Sequence, residues 1–167
     1  FAAKESFDVL CVCSDQTVGK KSNYDTIVQS VNDLSFPVTT DLEVINNFLQ
    51  AKGPKVIFST YQSSPKIVEV QKNKFINAFD LVIADEAHRC TGKLTDEFGS
   101  VTDPSKIRSK RRLFMTATPK IYSSSSKKSI EARGIEVASM DDELLFGPIF
   151  HELKFSTAIE EGILSDY

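Results

Sequence analysis

Four apolar runs of strand length set the limits on what this chain can fold into: 7–13 (FDVLCVC), 55–60 (KVIFST), 80–85 (DLVIAD) and 112–118 (RLFMTAT). Each is continuous rather than alternating. A strand with one wet face alternates apolar and polar residues, whereas an unbroken run fits a strand covered on both faces, as in a parallel sheet flanked by helices. Helical signals fall between the runs. Thr40 with Glu43 three residues on forms a capping box ahead of Leu42, Ile45, Phe48 and Leu49, and Gly53-Pro54 ends that helix. Ser64 as N-cap with Pro65 in the first turn predicts a second helix. Strands alternating with helices imply βαβ units, and so an α/β fold with a doubly wound, mostly parallel sheet. The stretch 122–129 (YSSSSKKS) offers nothing to a core and is expected to be a surface loop.

At 167 residues the chain is long enough for one domain with a proper core and too short for two. Hydrophobic residues at 41% and charged residues at 26% exclude a disordered chain. No apolar run approaches the roughly 20 residues that span a bilayer, so no membrane partner is expected. A net charge of −3 supplies no global attraction for nucleic acid, and any contact with phosphates has to come from local arrangement. The three cysteines, Cys11, Cys13 and Cys90, include no CxxC pair and read as small buried hydrophobes in a reducing, cytoplasmic setting. The chain opens at Phe1 without a signal-peptide pattern, and is expected to be a piece of something longer.

In a parallel α/β sheet, ligands sit beyond the carboxyl ends of the strands. The run 80–85 delivers Asp85 and then Glu86 to that edge. A carboxylate there suits magnesium, a hard cation that keeps several waters, and a neighbouring glutamate can orient or deprotonate the water attacking a γ-phosphate. Two acids at a strand end are common in any protein, so context has to decide.

That context is Asp85-Glu86-Ala87-His88, followed about thirty residues later by 115–119 (MTATP) at the end of another apolar run. The ordered pair resembles motifs II and III of superfamily 2 helicases and translocases of the DEAH type, whose motor lobes have a RecA-like fold. The resemblance implies that Asp85 holds magnesium through water and Glu86 activates the attacking water, with ATP as the nucleotide. It implies that His88, Thr116 and Thr118 couple nucleotide state to movement, since hydroxyls and an imidazole can exchange partners as a phosphate leaves. The segment 56–63 (VIFSTYQS) lies where the family contacts nucleic acid, making Thr60, Tyr61 and Gln62 candidate backbone contacts; a polar turn with a helix cap is the ordinary alternative. The flanking segments 13–20 (CSDQTVGK), 36–41 (FPVTTD) and 144–167 resemble the restriction-associated branch, the DNA translocases of type I, type III and single-polypeptide restriction systems.

In this family a glycine-rich loop ending in Gly-Lys-Thr or Gly-Lys-Ser cradles the phosphates. The segment 14–22 (SDQTVGKKS) fails that pattern: Ser14 stands where the first glycine belongs, and Lys21 follows Lys20 where a hydroxyl side chain is needed. The phosphate loop is therefore expected upstream, the sheet is expected to lack its strand, and the isolated chain is expected to bind ATP weakly and not turn it over. Residues 1–147 are expected to form a partial RecA-like ATP-binding lobe and 148–167 to lead toward a second lobe, with a short helix at 158–162. The basic run 106–112 (KIRSKRR) reads as a solvated loop, with a DNA-backbone contact as the alternative. The implied function is an ATP-dependent DNA motor of a restriction-modification enzyme acting on double-stranded DNA. An RNA helicase of the same superfamily and a non-catalytic nucleic-acid-binding scaffold stand as rivals.

Overall fold

The computed structural model describes residues 7–14, 37–93, 96–132 and 137–165, so the segment around Gly19 and Lys20 lies outside the described residues. In chain order the elements are β1 (Asp8–Val12), β2 (Val38–Thr39), α1 (Leu42–Gln50), β3 (Lys55–Ser59), α2 (Ser64–Gln71), β4 (Val82–Ala84), β5 (Gly92–Lys93), α3 (Asp96–Gly99), β6 (Arg112–Phe114), α4 (Ser124–Glu131), β7 (Val137–Ala138), α5 (Glu143–Phe146) and α6 (Phe155–Glu160). Single 3-10 turns cover Tyr61–Ser63 and Ala87–Cys90. The four predicted runs all become strands, and all pair in parallel. Strand β1 lies between β2 and β3, with Leu10 opposite Ile57, while β4 pairs with β6, with Ile83 opposite Leu113. A short antiparallel pair, β5 with β7, joins Gly92 to Ala138, and the sequence pattern gave no hint of it.

Two apolar clusters sit against these sheets. Leu10 and Val12 of β1 meet Ile45 of α1, Val70 of α2 and Ile76, all buried. Ala84, Ala87, Val101 and Ile107 form the second cluster, with Val68 and Tyr61 packed on it. Helix α2 thus serves both clusters, through Val70 on one side and Val68 on the other. Full burial of each aliphatic side chain contributes about 1.5–3 kcal/mol, which is why these few residues anchor the layers.

The expectation that the strands are covered on both faces holds for only one of them. Phe58 of β3 is 58% exposed and Ile83 of β4 is 54% exposed, whereas Leu10, Val12 and Ala84 are buried. Successive strand residues point to opposite faces, and α1 and α2 cover just one.

Local details differ from expectation by a residue or so. Asp41, not Thr40, caps α1: its carboxylate accepts the backbone N–H groups of Glu43 at 2.7 Å and Val44 at 3.3 Å. Ser63 stands at the N-cap of α2, so Ser64 and Pro65 form its first turn. The serine-rich stretch expected to be a loop contains α4, whose Lys127 pairs with Asp141 at 2.9 Å. Serine is merely a mediocre helix former, and this tertiary ion pair and the following β7 favour the helix. The terminal helix begins at Phe155, earlier than expected, and buries Ala158.

Candidate active site

Strand β4 ends at Ala84 because the chain turns there. Glu86 has φ 51° and ψ 43°, a left-handed conformation that costs a side-chain-bearing residue about 1–2 kcal/mol. It swings the backbone from the strand into the 3-10 turn that carries His88. Strand β6 locks this turn in place: Met115 N–H donates to Ala84 C=O at 2.9 Å, and Ala87 N–H donates to Met115 C=O at 2.9 Å. The two loops beyond the carboxyl ends of β4 and β6 therefore share a fixed register, and Thr116 and Thr118 arrive beside His88.

One imidazole nitrogen is the meeting point. His88 Nδ1 lies 3.0 Å from Thr116 Oγ1, 3.3 Å from Thr118 Oγ1 and 3.2 Å from Glu86 Oε2. A single ring nitrogen makes one good hydrogen bond at a time, as donor or acceptor according to tautomer, so these three oxygens compete for it. Thr118 N–H also donates to Thr116 Oγ1 at 3.1 Å, which orients the hydroxyl. Glu86 keeps its side chain 58% exposed, while His88 is only 20% exposed. The imidazole is packed in; the carboxylate it touches opens to solvent.

Asp85 is organised from its backbone. Its Oδ1 accepts the N–H of Glu86 at 2.9 Å, and the residue is exposed. Its carbonyl accepts the hydroxyl of Tyr61 at 2.6 Å. Tyr61 packs its ring on Phe98, with centroids 5.5 Å apart, and its phenol lies beside the Cys90 thiol. Burial, reinforced by Cys90 and Asp85, pushes the phenol above its ordinary range, so Tyr61 remains a donor at any physiological pH. Burial likewise raises the Cys90 thiol.

The predicted site residues thus gather as two groups that touch. Asp85, Glu86, His88, Thr116 and Thr118 form one constellation. Thr60, Tyr61 and Gln62 form the other at the end of β3, where Thr60 and Gln62 are exposed and Tyr61 is half-buried with its hydroxyl turned toward Asp85. Sequence reasoning missed that inward turn, and a tyrosine in a polar turn carries no signal for it. The basic run is also largely absorbed by the fold. Arg108 Nη2 donates to the carbonyls of Gln71 at 2.9 Å and Ile76 at 2.8 Å, and Arg112 Nε donates to Val101 C=O at 3.1 Å. Both guanidinium groups close backbone carbonyls that the turns around α2 and β6 leave unpaired.

No group of three or more His, Cys, Asp or Glu side chains forms a metal cage among the described residues. Asp85, a single exposed carboxylate, suits a cation that keeps most of its own water, as magnesium does.

The family model for the type III restriction enzyme, res subunit, matches residues 2–121. The chain belongs to this family. The chain is 30% identical over 161 residues to a probable helicase of African swine fever virus, an alignment covering 96% of the chain and 15% of the viral protein. Among solved structures it is similar to a nuclease-deletion mutant of the Type ISP restriction-modification enzyme LlaGI in complex with a DNA substrate mimic. The TM-score is 0.67 at 32% identity, over 99% of this chain and 12% of that one. The ATP-dependent Type ISP enzyme LlaBIII, bound to DNA, aligns with a TM-score of 0.61 at 25% identity, over 98% of this chain and 13% of that one. The chain spans 12 to 15% of the length of these relatives. Its fold is the RecA-like α/β lobe, in part. No helix among the described residues is long and apolar enough to cross a membrane.

Proposed function

We propose that this chain is part of the first motor lobe of an ATP-dependent DNA translocase or helicase of a restriction-modification enzyme. The observation that carries the proposal is the convergence of Glu86, Thr116 and Thr118 on one nitrogen of His88, with Asp85 alongside. Such a cluster sits where a sheet of this kind presents ligands, beyond the carboxyl ends of two parallel strands. The relatives add support: LlaBIII is described as ATP-dependent and DNA-bound, and the viral relative as a probable helicase.

In this reading the Asp85 carboxylate would hold magnesium through its water shell, and the ion would offset phosphate charge. Glu86 positions the attacking water and takes its proton, which its exposure to solvent allows. His88 exchanges partners among Glu86, Thr116 and Thr118 as the nucleotide changes. That exchange transmits the state of the ATP site to β6 and so to the segment beyond it. The exposed Gln62 offers an amide to phosphate oxygens of double-stranded DNA, and Thr60 offers its hydroxyl by exchanging its present bond to Ser63 Oγ, 3.1 Å away, contacts that give position without sequence preference. Residues 1–147 belong to the lobe and 148–167 lead toward its partner lobe, with the phosphate loop supplied by the rest of the protein.

The test is a triplex-displacement assay with the intact protein. ATP-dependent removal of a third strand from duplex DNA, absent without ATP, is expected. Activity on RNA alone would favour an RNA helicase, and DNA binding without ATP turnover would favour the scaffold.

A further inference from the structure

Among the described residues the parallel strands form two sheets, β2-β1-β3 and β4-β6, and no backbone ladder joins β3 to β4. At their carboxyl ends a side chain spans the gap. Tyr61, two residues beyond β3, donates its hydroxyl to the carbonyl of Asp85, one residue beyond β4, at 2.6 Å.

The atom it reaches has consequences. The carbonyl of Asp85 and the N–H of Glu86 belong to one peptide plane, and that plane is rigid. The same N–H holds Asp85 Oδ1 at 2.9 Å. Fixing the carbonyl therefore fixes the donor that orients the carboxylate. Glu86, on the far side of this plane, is in a left-handed conformation, so the peptide is held where a relaxed chain would not leave it. Tyr61 is itself well braced. Its ring packs on Phe98, its phenol contacts the Cys90 thiol, and Thr60 N–H beside it is tied to Val12 C=O of β1 at 3.3 Å. Its neighbours in sequence, Thr60 and Gln62, are exposed.

We propose that Tyr61 is a positioning residue that couples DNA seated at Thr60 and Gln62 to the Asp85 carboxylate, by setting the plane of the Asp85–Glu86 peptide. The inference rests on the function proposed above and deepens it. DNA pressing on the exposed flanks of the 3-10 turn moves the phenol, the phenol turns the peptide plane, and the carboxylate follows. No contact between Tyr61 and DNA is required.

The intact protein with Tyr61→Phe tests this. The change keeps the ring on Phe98 and deletes only the hydroxyl. DNA affinity and KM for ATP are expected to stay as in the wild type, while kcat at saturating duplex DNA falls about three- to tenfold, the scale of one hydrogen bond. The DNA-free rate falls less, so the ratio of stimulated to basal activity drops. A companion Phe98→Leu variant, which loosens the ring but keeps the hydroxyl, is expected to retain most of that ratio.

An unchanged ratio in Tyr61→Phe overturns the inference. So does an equal fall of basal and stimulated rates, or lost DNA affinity with full kcat at saturation, which would make Tyr61 a direct contact. An equal loss of ratio in Phe98→Leu assigns the effect to packing and overturns it too. A wild-type protein whose ATPase ignores DNA overturns the proposed function, and the coupling with it; a responsive wild type with an equally responsive Tyr61→Phe overturns the coupling alone.

Discussion

His88 Nδ1 and Thr116 Oγ1 lie 3.0 Å apart and join loops separated by 28 residues in sequence. Thr118 reaches the same nitrogen less closely, at 3.3 Å. If this bond transmits the nucleotide state, then Thr116→Val, which keeps the shape and removes the hydroxyl, should uncouple hydrolysis from movement. In the intact protein translocation rate per ATP consumed is expected to fall about tenfold, the size of a lost hydrogen bond of roughly 1.4 kcal/mol. Thr118→Val is expected to have the smaller effect. Parallel measurements of ATP turnover and triplex displacement check both, and equal coupling in all three proteins would contradict the role.

The left-handed backbone at Glu86 gives a prediction about stability that is separate from chemistry. Glycine adopts φ 51° without steric penalty, so Glu86→Gly should relieve about 1 kcal/mol that Glu86→Ala leaves in place. Both variants lose the carboxylate and so are expected to be inactive. Hydrogen exchange at the amides of Ala87 and Met115, which close the turn, measures the difference. Slower exchange in the glycine variant is expected.

Arg108 is expected to act in stability rather than in DNA binding. Its guanidinium closes the carbonyls of Gln71 and Ile76, and its backbone N–H donates to the buried side chain of Gln71 at 2.6 Å. Arg108→Ala strands those carbonyls and should weaken the junction of α2 with β6 by about 1–3 kcal/mol. Limited proteolysis near residue 73 is expected to speed up while DNA affinity stays unchanged.

The parallel α/β core was legible in the sequence because burial of continuous apolar runs leaves a strong signature. The placement of the carboxylate pair and the two threonines at the ends of neighbouring strands was legible because each lies at the end of such a run. Asp41 took the cap expected of Thr40 because its carboxylate reaches two backbone N–H groups, a choice between adjacent residues that pattern alone does not resolve. The helix α4 was not legible because its serine-rich sequence carries no apolar periodicity, and its pairing of Lys127 with Asp141 joins residues 14 apart. The inward bonds of Tyr61 and Arg108 were not legible either: each side chain reaches a carbonyl more than twenty residues away, a pairing that neighbours in sequence do not signal.

Cys90 is 1% exposed, and burial raises its thiol above the ordinary value of 9.0. Below that value folded and unfolded chains both keep the proton, and stability does not depend on it. Above it the unfolded chain gives up the proton while the folded one holds it, so stability falls as pH rises toward the folded value. Alkylation by iodoacetamide at pH 8 is therefore expected to spare Cys90 until the lobe unfolds. Rapid labelling of Cys90 in the folded protein would show that the packing behind Tyr61 is open.

The central claim is that Asp85 and Glu86 serve a DNA-driven ATPase, and its most direct test is ATP hydrolysis by the intact protein with and without double-stranded DNA, beside a Glu86→Gln variant. The account predicts hydrolysis that DNA stimulates and that Glu86→Gln abolishes while DNA binding persists. A folded, DNA-binding protein that hydrolyses no ATP, or a Glu86→Gln variant that hydrolyses it at the wild-type rate, would contradict it.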